Sequence, residues 1–301
     1  MRWRSAWATS SNSPSPVDFG SHPVENIMSL SVVMRLNPLL LLPALLLASA
    51  APLGATPALG DGESLTYRVS WGIFFHAGEI SISAHAAPPE NGHPRLQVTT
   101  TTATRGLARV LFTFDARADS FFDVHTGRLL STVETSKSAK KETRNSVVFD
   151  YAKSTASYVN EITPDKTTTL PMPAGEPMDL IMSLVQTRTW NLKPGEKRDA
   201  LVLFDDEFYE LTIHAEEYED VTTPLGSFHT LVLVPLMEKT PPKGMFKRGS
   251  GVKVWISQDA LHLPVKFQVE FKFGAGVASL ERYDLPTAAA GAARTRPPSS
   301  P

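Results

Sequence analysis

The stretch Leu263-Pro264-Val265-Lys266-Phe267-Gln268-Val269-Glu270-Phe271-Lys272-Phe273 decides the fold. Leu263, Val265, Phe267, Val269, Phe271 and Phe273 share one parity, while Pro264, Lys266, Gln268, Glu270 and Lys272 share the other. Successive strand residues point to opposite faces, so this pattern turns one greasy face to a core and one polar face to water. A strand of this length, at ~3.3 Å per residue, spans roughly 36 Å, long for a globular sheet. Pro264 has no N–H to give a ladder and belongs at the strand's start or on an edge.

The same period recurs along the chain. Leu65, Tyr67, Val69 and Trp71 alternate with Ser64, Thr66, Arg68 and Ser70, and Ile80, Ile82 and Ala84 follow after a turn, so residues 63–86 read as a β-hairpin. Further strand candidates cover 95–103, 111–123, 128–137, 143–151, 199–204, 207–215, 226–235, 252–257 and 276–283. Turn-forming pairs such as Asn91-Gly92, Thr126-Gly127 and Leu225-Gly226 separate them. One segment reads as a helix: Pro177 suits a first helical position, and Met178, Ile181, Met182 and Val185 recur at helical spacing until Trp190. A second, short helix fits Gly106–Leu111. The expected fold is mainly β. It is a large curled antiparallel sheet, half-barrel or barrel-like, with one amphipathic helix packed on its concave face.

Several of these segments also resemble a known family. Leu65-x-Tyr67-x-Val69-x-Trp71-Gly72 followed by Ala77-Gly78, the Asp179-Leu180-x-x-Ser183-Leu184 segment and the Thr223-Pro224-x-Gly226 turn are similar to DUF3108, a family of bacterial envelope proteins of unknown function. So is the closing run Phe246-Lys247-Arg248, Val254-Trp255-Ile256-Ser257-x-Asp259, Leu263-Pro264-Val265. The resemblance implies export to the periplasm and a mainly antiparallel β fold. It implies no catalytic residues.

The 301 residues carry 29 Lys+Arg against 31 Asp+Glu, a net charge of −2, and include no cysteine. That balance speaks against a dedicated nucleic-acid binder, and no nucleic-acid partner is expected. Without cysteine there is no disulfide framework, thiolate zinc site, iron–sulfur ligation, cysteine nucleophile or lipid attachment through an N-terminal cysteine. Met34-Arg35-Leu36-Asn37-Pro38 leads into an apolar run ending in Ala48-Ser49-Ala50, the pattern of a cleaved secretory signal peptide. The expected organisation is therefore an upstream non-native or disordered segment at 1–33, a signal peptide at 34–55, one β domain at 61–284 and a disordered tail at 285–301, in a periplasmic or secreted protein.

Chemical motifs are scarce. The eight histidines form no H-x-H or H-E-x-x-H pair. The acidic clusters Asp205-Asp206-Glu207 and Glu216-Glu217-x-Glu219-Asp220 lack the calcium-loop pattern and read as charged strand ends. There is no G-x-S-x-G elbow and no phosphate-binding glycine loop. No catalytic residue, metal or cofactor is expected.

Two candidate sites remain. If the helix leaves the concave face incompletely filled, Trp71, Phe112, Ile181, Val185, Phe267 and Phe271 would line an apolar cavity for a hydrophobic or lipid-like ligand. The connection around Met245, Phe246, Lys247 and Arg248 sets apolar tips beside cations, as a membrane- or ligand-gripping loop would. A solvated hairpin with Phe246 folded back on the core is the plainer reading of that loop. The expected function is a non-enzymatic binding or carrier protein. The alternative is an envelope module that binds a protein partner or a polysaccharide, which exposed aromatics on polar strand faces such as Trp255 would favour.

Overall fold

The computed structural model describes residues 57–90, 92–243, 246, 251–271 and 274–287. Contacts divide the chain into Met1–Ala50 and Ala51–Pro301, and every described residue lies in the second unit.

The first half of this unit is an antiparallel meander. It runs through β1 (Ser64–Trp71), β2 (Phe74–Glu90), β3 (His93–Thr104), the short helix α1 (Gly106–Leu111), β4 (Phe114–Asp123), β5 (Leu129–Ser138), β6 (Glu142–Asp150), β7 (Thr155–Asn160) and β8 (Thr168–Pro171). The second half begins with β9 (Pro177–Asp179) and helix α2 (Leu180–Gln186). It continues through β10 (Lys197–Phe204), β11 (Glu207–Thr223), β12 (Gly226–Leu236), β13 (Val252–Ser257), β14 (Pro264–Phe271) and β15 (Gly274–Asp284). Pairing of β1 with β15 joins the halves into one open sheet of fifteen strands among the described residues, with β8 and β9 at its edges. Among the described residues β9 runs parallel to β10, and every other pair of neighbouring strands is antiparallel.

Period-2 patterning determines the register. Leu65 stands opposite Ile82 on β2, and Phe267 opposite Ala278 on β15, so buried side chains stack on one face. Leu65, Tyr67, Ile82, Val265 and Leu280 are wholly buried there, and so is Val185 of α2 in the core. Pro264 is the first residue of β14, where its missing N–H costs nothing, and its carbonyl accepts a 2.8 Å hydrogen bond from Tyr67 Oη.

Three boundaries differ from the sequence reading. Pro177 opens a strand rather than a helix, because Asp179 caps α2: its side chain accepts from the Met182 N–H at 2.8 Å and starts the helix at Leu180. Residues 106–111 form α1, so β4 begins only at Phe114. Strand β11 continues through Glu216–Asp220 rather than ending before them, with a register shift between Ala215 and Tyr218 that leaves those acids exposed mid-strand.

Candidate functional site

Cross-strand rows show how one face of the first meander is built. Thr102 pairs with Ala116, Ala116 with Ser136, and Ser136 with Thr143. The next row runs Thr100, Ala118, Glu134, Asn145, and the one beyond it Val98, Ser120, Thr132, Val147. The first two rows are made of small side chains and hydroxyls, with Glu134 as their largest member. A face so sparsely furnished cannot fill the space before it.

That space is a groove of roughly 430 Å³. Its far wall comes from elements distant in strand order: Asp179 at the end of β9, Leu180 and Ile181 of α2, and Phe204 and Asp205 where β10 turns into β11. Phe112 and Phe114, stacked with ring centres 6.2 Å apart, complete the apolar part. Asp205 adopts φ +57°, a left-handed turn conformation that Asp tolerates.

The polar floor is rich in acceptors. Asp179 Oδ2 accepts from Ser120 Oγ at 2.7 Å, and Asp205 Oδ1 accepts from Tyr158 Oη at 2.9 Å. Asn145 Nδ2 lies 3.5 Å from Asp205 Oδ1, while the buried Asn145 Oδ1 has no hydrogen-bond partner. Glu134 is pushed up to about 7, first by burial and then by the negative charges of Asp179 and Asp205. Burial also raises the Asp179 carboxyl, against the hydrogen bonds that favour its ionised form. Among the described residues no group of three or more His, Asp or Glu side chains is arranged to hold a metal ion.

Of the residues singled out from sequence, Phe112 and Ile181 line this groove. Val185 and Phe267 are core residues, the latter packed on Tyr67 with ring centres 5.0 Å apart. Trp71 is 41% exposed at the end of β1, away from the groove lining, and only the backbone of Phe271 is described. Phe246 is buried and faces Tyr209 at 6.1 Å between ring centres; Met245, Lys247 and Arg248 lie outside the described residues. Trp255, expected on an exposed face, is buried: its Nε1 donates to Glu219 Oε2 at 2.9 Å and Lys266 Nζ sits 4.0 Å from its ring centre. Sequence reasoning did not single out Glu134 or Asn145, read Asp205 as part of a charged strand end and named Asp179 only within the family-like segment; the structure gathers them from β5, β6, the β10–β11 turn and β9. The one available signal was the run of small residues on alternating positions of β3 and β4.

The profile described as "Protein of unknown function (DUF3108)" matches residues 66–281. The chain belongs to the DUF3108 family. The DUF3108 match spans β1 to β15 and so takes in the whole groove. No curated protein matches the sequence. Among solved structures the chain is similar to a beta-barrel-like DUF1849 protein from Brucella abortus, at 8% identity and TM-score 0.48, over 75% of this chain and 98% of that one. It is also similar to a DUF1089 family protein from Pseudomonas aeruginosa, at 10% identity and TM-score 0.31, over 61% of this chain and 88% of that one. A third, from Bacteroides fragilis with a YmcC-like fold, shares 11% identity at TM-score 0.31, over 77% of this chain and 99% of that one.

Proposed function

We propose that this domain is an exported, non-enzymatic binding or carrier protein for a hydrophobic, lipid-like ligand held in the groove. The observation that carries the reading is a space of roughly 430 Å³, the size of a small-molecule site, left open between small side chains and an apolar wall. Hydrogen bonds from Ser120 on β4 to Asp179 on β9, and from Tyr158 on β7 to Asp205 beyond β10, join opposite ends of the strand order. They support a sheet that curls back on itself as a half-barrel, with α2 on its inner side.

The ligand is an amphiphile. Its apolar body lies against Phe112, Phe114, Leu180, Ile181 and Phe204, and its polar end brings hydrogen-bond donors, because Asn145 Oδ1 and the carboxylates of Glu134 and Asp205 offer acceptors. An amine- or hydroxyl-bearing head meets that floor; Asp205 repels a carboxylate or phosphate set there, and Arg117 and Lys141 are the cations of the lining. The leader-like pattern of residues 34–50 supports export to the periplasm.

Native mass spectrometry of the chain purified from cells is the test. A bound species in the mass range of a lipid, released by organic extraction, is the expected result. A bare chain that also fails to take up an apolar fluorescent probe would overturn the reading.

A further inference from the structure

One rim of the sheet is conspicuously apolar. The register places the β1–β2 turn, α1, the β5–β6 turn and the β10–β11 turn at the same end of the strands: Gly78 pairs with Thr104, Ala103 with Asp115, Phe114 with Ser138 and Lys137 with Glu142. On it, Ile73, Phe75, Leu107, Val110, Leu111 and Phe112 are between 53% and 85% exposed. At the opposite rim the exposed large apolar residues are single and only partly bared, as Val124 at 39%, Leu225 at 41% and Leu261 at 40% are. Scattered residues of that sort are ordinary on a soluble surface; a contiguous group is not.

Helix α1 sharpens the point. None of its residues is buried. A helix of six residues gains little from propensity and normally depends on packing an apolar face, yet this one turns Leu107, Val110 and Leu111 away from the sheet. It is held by polar clamps instead: Arg109 makes paired 2.8 Å contacts with Asp115 Oδ1 and Oδ2, and Arg105 reaches Glu79 at 3.1 Å. The chain thus spends its arginines on presenting an apolar surface to something outside itself. In the β1–β2 turn, Gly72 at φ +55° turns the chain just before Ile73.

Charge selects the occupant. Beside the apolar tips the β5–β6 hairpin carries Lys137, Lys140 and Lys141, all exposed and without an ion pair among the described residues; Glu142 stands opposite Lys137, so the β1–β2 turn, α1 and this hairpin together keep a net positive charge, while the exposed acids Asp205, Asp206 and Glu207 belong to the β10–β11 turn. Apolar side chains on convex tips, flanked by unpaired ammonium groups, match a bilayer whose headgroups are anionic. The tips sink among the acyl chains while the lysines stay with the phosphates. We propose that this rim, formed by the β1–β2 turn, α1 and the β5–β6 lysine hairpin, docks on an anionic lipid surface. The docking residues are separate from the groove's acceptor floor; of them only Phe112 and Lys141 also line the groove.

Trp71, at the base of the β1–β2 turn, is a built-in reporter. With the full chain and vesicles of phosphatidylcholine containing phosphatidylglycerol and brominated lipid, the fluorescence difference between the parent and Trp71→Phe isolates its quenching from that of the other tryptophans. Quenching is expected in the parent and lost in Ile73→Ser/Phe75→Ser/Leu111→Ser. Lys137→Glu/Lys140→Glu, which leaves the apolar tips and the groove lining intact, is expected to weaken vesicle binding roughly tenfold or more and to abolish its dependence on phosphatidylglycerol. Circular dichroism should show both variants folded, since all five positions are exposed. Unquenched Trp71 in the parent, or equal quenching in the triple variant, overturns the proposal. So does protection of the tips by a captured protein in place of lipid. Loss of ligand from the groove with Trp71 quenching intact would count against the carrier reading alone.

Discussion

Ser120 Oγ donates a 2.7 Å hydrogen bond to Asp179 Oδ2, while Asp179 Oδ1 accepts from the Met182 N–H at 2.8 Å. One buried carboxyl therefore caps α2 and ties it to β4 at once. Asp179→Ala removes both bonds and leaves the first turn of α2 uncapped, so a loss of about 2–3 kcal/mol is expected in chemical denaturation. Asp179→Asn keeps an acceptor for the cap and removes a charge that burial disfavours. It should fold at least as stably as the parent near neutral pH. Equal destabilisation by Ala and Asn would show that the charge, not the cap, is what the fold needs.

Glu134 imposes a pH dependence whose sign is fixed by its shift. Its carboxyl is raised to about 7 in the folded chain, above its ordinary value of 4.5, so the folded state holds the proton more tightly than the unfolded one. The stabilising effect is complete below the unfolded value and is lost as the pH rises through the folded one. Thermal stability should thus fall between about pH 5 and pH 8 by on the order of 1–3 kcal/mol through this group. Glu134→Gln should flatten that fall and melt higher than the parent at pH 8. Paired acids such as Asp115 and Asp150, whose carboxyls are lowered by Arg109 and Lys153, act in the opposite sense and only in the acid range. A parent and variant with parallel melting profiles from pH 5 to pH 8 would refute the assignment.

The strands of this fold were legible where one face is buried and the other wet, because that condition prints a period of two into β1, β2 and β14. Strands β7 to β9 left no such print: TASYVN, TTLP and PMD are too short to establish a period, and β8 and β9 lie at the sheet's edges. The helix was visible by its apolar spacing, but its start depended on a side-chain bond from Asp179 that periodicity does not encode. The groove was harder still. Aromatic side chains drew attention to residues with different fates, Phe267 in the core and Trp71 at an exposed strand end, whereas space is left by small residues such as Ala116 and Ser136. Its polar floor joins Ser120 to Asp179 and Tyr158 to Asp205, partners that only the tertiary fold brings together.

Arg188 and Glu63 form the most enclosed ion pair of the described residues, 2.6 Å apart with side chains 10% and 4% exposed. Glu63 also accepts from the Gly60 N–H at 2.8 Å and Tyr283 Oη at 2.9 Å, and Arg188 donates to the Leu261 carbonyl at 2.8 Å. The pair thus fastens the chain before β1 to the β13–β14 turn. Arg188→Met strands a buried carboxylate and should cost about 3–5 kcal/mol. Adding Glu63→Gln removes the stranded charge and should recover more than half of that loss, a coupling that a double-mutant cycle in urea would measure. Additive losses would mean that the two side chains act independently.

Filling the groove separates its role from that of the core. Ala116 and Ala118 project from β4 into the open space and are only partly buried, so Ala116→Trp or Ala118→Phe adds bulk without displacing a core residue. Melting temperature should stay within a few degrees of the parent, while affinity for an apolar fluorescent probe should fall about tenfold or more. Val185→Ala, in contrast, opens a cavity in the core and should lower stability by about 1–3 kcal/mol with little change in probe affinity per folded molecule. The two outcomes are opposite in both measurements. A probe that binds the Ala116→Trp chain as well as the parent must therefore sit elsewhere, and the groove would lose its claim to the ligand.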